Sequence, residues 1–260
     1  MKSSSFRATA AAITLAAALA GCGGSSSGGQ PSSSTKVSGT INVFAAASLT
    51  EAFTALGKQF EAAHPGVKVD FNFGASSALA EQIDQGAPAD VFASASTKNM
   101  DQVVSAGGAS SPTPFVKNVM EVATPPSNPA HIASVADLAK KGVKVALCQS
   151  QVPCGATAQK VFTNAHLTVK PVTEEVDVKS VLSKVELGEV DAGVVYVTDV
   201  RAAGDKVKGI AIPDNLNAST TYPVATLTKA NNPTVAQAFV SYVLSSAGSA
   251  VLTGYGFEKP

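Results

Sequence analysis

From residue 41 to residue 246, short apolar runs alternate with amphipathic stretches, and that alternation leaves the chain few folds to choose from. Residues 41–44, 67–73, 89–93 and 115–123 read as strands, with helices over 49–63 (stopped by His64-Pro65-Gly66), 77–85 and 98–106 between them. Pro125, Pro126 and Pro129 then break the chain, and a second set begins. It comprises a helix over 134–141, a strand over 143–148, a loop over 149–153 and a helix over 155–166. A strand over 168–172, a helix over 178–187, a strand over 191–197 and a helix or turn over 198–204 follow. Strands over 207–212 and 222–227 and a helix over 233–246 precede the tail Gly254-Tyr255-Gly256-Phe257. Apolar strands separated by helices predict mainly parallel sheets covered on both faces, hence an α/β fold. Two sets predict two lobes, residues 37–121 with 226–260 and residues 122–225, with crossings over 121–125 and 222–225. A ligand cleft is expected between them, at the carboxyl ends of the strands.

The first residues read as an address. Lys2 and Arg7 form a basic start, 8–20 an apolar run too short to span comfortably, and Leu19-Ala20-Gly21-Cys22 a small-residue end. Leu-Ala-Gly-Cys resembles a bacterial lipobox, so 1–21 is expected to be a lipoprotein signal peptide and Cys22 the lipidated residue. A plain secretory signal is the alternative. Residues 22–36 are nearly all Gly and Ser, a flexible tether that would hold the folded part outside the cytoplasm, at the cell membrane.

Cleavage after residue 21 removes two of the 19 basic residues and none of the 19 acidic ones, leaving a net charge of −2. No basic face suited to nucleic acid is visible, and Arg201 is the one arginine beyond the leader. An anion bound here is therefore not expected to be held by a cluster of guanidinium forks. Cys148 and Cys154 remain once Cys22 is assigned. Outside the cytoplasm they are a candidate disulfide closing a small loop, with two free buried thiols as the alternative. Their C-x5-C spacing fits no common zinc pattern.

The helix starts carry the chemistry. In Phe44-Ala45-Ala46-Ala47-Ser48-Leu49 a strand runs into a helix with no bulky or charged side chain between them. Such a start offers unpaired N–H groups and the positive end of the helix dipole to an anion. The plainer reading is that Ser48 caps its helix, with Glu51 completing a capping box. Against it stands recurrence: Ser76 opens a helix after Phe71-Asn72-Phe73, Cys154-Gly155-Ala156-Thr157 a third, and Asp177-Val178-Lys179 a fourth. Two starts fall in each predicted lobe. Tyr196, ending the strand Gly193-Val194-Val195-Tyr196, would add a hydroxyl, or else simply form an aromatic wall.

Four motifs in order, Val43-Phe44-Ala45-Ala46-Ala47-Ser48-Leu49, Gly86-Ala87-Pro88-Ala89-Asp90-Val91-Phe92, Val194-Val195-Tyr196 and Tyr255-Gly256-Phe257, resemble the periplasmic molybdate-binding proteins of ABC importers. The likeness runs from about residue 40 to the C-terminus. It implies a two-lobed type II periplasmic-binding-protein fold, expected as a monomer, that closes on molybdate or tungstate. The guest would pass to an ABC permease and its ATPase. The implied contacts are Ser48, Ser76, Cys154, Val178 and Tyr196, with Ser77 one position from Ser76 as a competitor for the second. Cys154 departs from the small residue usual in the family, although the contact implied there is its backbone N–H.

A pocket made only of donors suits a fully deprotonated dianion: molybdate, tungstate or, as the alternative, sulfate. Hydrogen phosphate would want an acceptor, for which Asp177 is the weak candidate. No Gly-x-Ser-x-Gly elbow appears between a predicted strand and helix, and His64, His131 and His166 fall at element ends, where they read as surface or capping residues. No enzyme, no cofactor and no ferric-ion cluster of Tyr, His and carboxylates is expected.

Overall fold

A computed structural model describes residues 37–260. The expected signal peptide, lipidated Cys22 and tether lie outside the described residues. The first half runs β1 (Gly39–Ala46), a 3-10 turn (Ala47–Leu49), α1 (Thr50–Ala63), β2 (Val67–Gly74), α2 (Ser76–Asp84), β3 (Val91–Ala93), α3 (Thr97–Ser105) and β4 (Thr113–Thr124). The second half contains β5 (Val145–Cys148), α4 (Pro153–Asn164), β6 (Thr173–Glu175), α5 (Val178–Glu186), β7 (Ala192–Tyr196), α6 (Val197–Ala203) and β8 (Lys208–Ala211). The chain then returns through β9 (Ser219–Thr226), α7 (Pro233–Leu244) and α8 (Ser246–Gly254).

The strands pair in the order β2-β1-β3-β9-β4-β7-β5-β6, with β8 added to β4. Strands joined by helical crossovers (β1 with β2 and β3, β5 with β6 and β7) are parallel, as the alternation predicts. The sheet as a whole is mixed, with its parallel pairs inside each half and antiparallel pairs where β4 and β9 join in. β3–β9, β9–β4, β4–β7 and β4–β8 are all antiparallel. The reason is that β4 and β9 carry the chain out and back and belong to no crossover unit. Along β4, pairing with β9 ends at Val119 and pairing with β7 begins at Met120. The return strand begins at Ser219, so both passages start a few residues upstream of the expected crossings.

Three further elements differ from expectation. Residues 168–172 form no strand: Pro171 has no N–H to give a ladder, so bonding to β5 begins just past it, with Val172 N donating to Val145 O at 2.9 Å and the register opening at Thr173. The helix expected over 134–141 is a short 3-10 helix, Val135–Ala139. Asp137 Oδ2 accepts from the Ala133 and Ser134 N–H groups at its start, and Lys140 is already extended. The last helix breaks at Ser245 with a 62° bend into α8, which the tail was not expected to form. Ser245 is extended and its Oγ accepts from Gly248 N, so one residue ends α7 and caps α8. No single helix among the described residues is long and apolar enough to cross a membrane.

Under the first half, Phe53, Phe60 and Phe239 meet edge to face against β1 and β9. Leu79, Phe92 and Met100 fill the opposite face. The second half packs Val145, Leu147, Val181 and Val194 between α4 and α5. Ala47, from the first half, belongs to that second core, so the halves touch where β1 ends. The Gly-Ala-Pro-Ala-Asp motif has a structural use. Asp90, 1% exposed, accepts from Asn42 N at 2.7 Å and from Asn231 and Asn232 N at 2.6 and 3.1 Å, pinning β1 to the start of α7. In the tail, Gly256 takes φ +98°, where Arg201 lies against it, and Glu258 pairs with Lys117 on β4.

Replacing Asp90 with Ala removes the buried acceptor of three part-buried backbone amides. Urea denaturation should show a loss of about 3 kcal/mol or more. A loss below about 1 kcal/mol would show the three bonds to be dispensable.

Candidate functional site

One small cavity brings together all four predicted helix starts and the tyrosine. Its walls are the ends of β1 and β2 with Ser48 and Ser76, the starts of α4 and α5 with Cys154 and Val178, and Tyr196 at the end of β7. The space open to the centre of a water-sized sphere is about 10 Å³, enough for one small guest and little else. Ser76, not Ser77, lines it.

The helix starts facing this cavity differ from those facing away. The 3-10 turn after β1, α2 and α4 are preceded by Ala46, Ala75 and Val152, none of which supplies a side-chain cap. By contrast α3, α7 and α8 are capped by Ser96, Asn232 and Ser245. A helix start leaves amides without an intrahelical partner, and here nothing of the chain's own side chains covers them. At α5, Asp177 Oδ1 accepts from Ser180 N at 2.8 Å and so is committed to capping. Gly155 is needed for the loop over 149–153 to close on α4: a Cβ there would overlap the carbonyls of Cys148 and Gln149. The Cys148–Cys154 disulfide is formed and ties that loop to the helix start.

The capping-box reading of Ser48 does not hold. Glu51 reaches Lys179 instead, and Ser48 Oγ lies 2.8 Å from Tyr222 Oη. Asn118 Nδ2 stands 3.5 Å from the same phenol oxygen and 2.8 Å from Thr198 Oγ1. With Asn118 donating to Tyr222, the phenol proton goes to Ser48, and the Ser48 proton is left for the cavity. Ser76 is set the same way: its Oγ accepts from Ala95 N at 2.9 Å, leaving its own O–H to give. Tyr196, 1% exposed, makes no well-formed hydrogen bond through its hydroxyl among the described residues, although the hydroxyls of Thr157 and Tyr222 stand beside it. Burial holds the Tyr196 phenol well above its ordinary value and raises that of Tyr222 as well, so both remain O–H groups. The hydroxyls lining the cavity thus present protons, Asp177 is the one carboxylate among its walls, and no lysine or arginine lines it.

The family model for bacterial extracellular solute-binding proteins matches residues 41–258. The chain belongs to this family. The molybdate-binding protein ModA of Mycobacterium tuberculosis is 43% identical over 247 residues, 95% of each chain. The molybdate-binding protein ModA of Escherichia coli is 33% identical over 231 residues, 84% of this chain and 89% of that one. The periplasmic molybdate-binding protein of Azotobacter vinelandii has the same α/β periplasmic-binding-protein fold, with a TM-score of 0.75 at 21% identity, over 85% of this chain and 99% of that chain. Relatives in a solute-binding family are binders, in keeping with a cavity that holds donors and no nucleophile–base pair. His64 Nδ1 lies 2.9 Å from Phe60 O at the end of α1, a capping place. No group of three His, Cys, Asp or Glu side chains able to hold a metal is found among the described residues.

Sequence reasoning named the five cavity residues but not Asn118, Thr198, Tyr222 or the Glu51–Lys179 contact. None of these carries a local pattern, since Ser48 and Tyr222 are 174 positions apart.

The buried phenols predict alkaline behaviour. Their proton affinity is higher folded than unfolded, so this stability is present below the ordinary phenol value of 10.0 and lost as pH rises past it toward the folded values. Thermal midpoints should fall more steeply above about pH 10 in the wild type than in Tyr222→Phe. Identical alkaline slopes would contradict the burial argument.

Proposed function

We propose that this chain is an extracytoplasmic binding protein that captures molybdate, and tungstate with it, and delivers the anion to an ABC permease driven by an ATPase. One observation carries the reading: a buried Tyr196 hydroxyl without a well-formed hydrogen bond shares a cavity with three helix starts that no side chain caps. A doubly charged tetrahedral guest supplies the missing acceptor to each of them. Ser48 and Ser76 give hydroxyl protons, Cys154 and Val178 backbone amides, and Tyr196 its phenol. Each bond to a full charge contributes about 1.5–3 kcal/mol, and several together offset the several-kcal/mol cost of drying a dianion. The one acceptor side chain at the cavity is Asp177, whose Oδ1 already accepts from Ser180 N, so the donors outnumber it and a fully deprotonated anion is the guest they suit best. Sulfate meets the same donors, and cavity size then decides between it and molybdate.

In this reading residues 37–121 with 226–260 and residues 122–225 are lobes hinged at β4 and β9. The protein works as a monomer, its leader (1–21) removed, Cys22 lipidated and 22–36 serving as the tether to the membrane. The named ligands of the relatives from Mycobacterium tuberculosis and Escherichia coli support molybdate as the guest.

Two measurements test it. Residues 36–260 should gain about 2.7 kcal/mol of stability with molybdate at a hundredfold excess over its dissociation constant. No shift with molybdate or tungstate, but one with sulfate or phosphate, would overturn the choice of guest. Tyr196→Phe should weaken molybdate binding by about 10- to 100-fold in calorimetry while the unliganded protein is as stable as wild type or more so. Unchanged affinity would remove Tyr196 from the site.

A further inference from the structure

Beside the cavity three charged side chains meet. Lys179 Nζ on α5 lies 2.9 Å from both carboxylate oxygens of Glu51 on α1 and 3.0 Å from Asp199 Oδ1 on α6. Each is tied to one wall of the site. Glu51 is three residues beyond Ser48, Lys179 is one beyond Val178, and Asp199 Oδ2 accepts from Tyr196 N at 3.1 Å. Lys179 and Asp199 both belong to the second half, whereas Glu51 belongs to the first. The Glu51–Lys179 pair is therefore a bond between the halves, one helical turn or less along the chain from cavity residues in each.

We propose that Glu51 and Lys179 form an ionic latch, with Asp199 as its fixed anchor, that holds the cleft shut over the guest and sets how slowly the guest leaves. This rests on the cavity being an oxyanion site. The division of labour follows from burial. Asp199 is fully buried and keeps Lys179 aimed, because a buried carboxylate without a partner is costly. Desolvation works against the Lys179 charge, yet Asp199 and Glu51 outweigh it and hold the amine above its ordinary value. Glu51 is 39% exposed, so its half of the bond can break into solvent when the halves part. Opening the cleft separates Glu51 from Lys179 and leaves the Lys179–Asp199 pair whole. The latch also accounts for a cation standing next to an anion cavity without entering it: its charge is spent on two carboxylates, and the guest meets neutral donors only.

Glu51→Gln tests this, because it spares the buried Lys179–Asp199 pair. The protein is loaded with whichever of radiolabelled molybdate, tungstate or sulfate binds wild type best, then diluted into the unlabelled anion. Release should be about three- to tenfold faster than from wild type, with association unchanged and an unliganded Tm within about 2 °C. Added salt should speed release from wild type and leave the variant's rate alone. If wild type binds and Glu51→Gln releases at the wild-type rate, the latch is wrong and the site stands. If none of the three anions binds wild type, the site and the latch fall together.

Discussion

A dianion sealed away from water must find, inside a protein, replacements for the hydration it leaves behind, and on the proposed reading the centre of this chain answers to that demand. The replacements are protons held on neutral groups. Two serines have their oxygen atoms already supplied, Ser76 by Ala95 N and Ser48 by Tyr222. Their remaining capability is donation. Tyr196 is left without a well-formed hydrogen bond in a place where an unpaired polar atom costs about 1–3 kcal/mol. That cost buys readiness: the donor needs no rearrangement when the guest arrives.

The fold exists to bring such groups from distant parts of the chain to one point. Parallel strands put their carboxyl ends, and the helix starts that follow, on the same edge. β1 and β2 do this in one half and β5 and β6 in the other. The antiparallel pair β4–β9 then lays the two edges face to face. The uncapped starts at Ala46, Ala75 and Val152 are tolerable only because that geometry aims them at a common guest. Helices that face elsewhere, such as α3 and α7, carry their own Ser or Asn caps.

Legibility in the sequence followed the range of the interaction. Features set within a few residues were readable. The alternation of strand and helix, the small residues before Ser48 and the Gly-x-x start at Cys154 all report local backbone needs. The bend at Ser245 was missed although its cause is local, because an apolar helical pattern continues on both sides of it. The antiparallel insertion of β4 and β9 was missed because register between strands about a hundred residues apart leaves no periodic trace. Pro171 shows a local rule overriding a pattern, since an apolar stretch could not begin its ladder until the proline had passed. Glu51 shows the reverse, a residue at capping-box spacing drawn away by a lysine 128 positions distant.

That last contest explains why the site can be both neutral and close to charge. A lysine pointed into the cavity would bind any small anion, protonated or not, and would release it reluctantly. Lys179 stands one residue from a cavity amide, but its ammonium hydrogen-bonds both Glu51 oxygens and is ion-paired with Asp199, so its charge is already engaged. Selection is then left to donors of fixed direction, which distinguish a fully deprotonated oxyanion from one that carries a proton. The charge that would have blurred selection acts instead between the halves, where strength is wanted and discrimination is not. Separating the two tasks, recognition by hydrogen bonds and closure by an ion pair, lets each be tuned without disturbing the other.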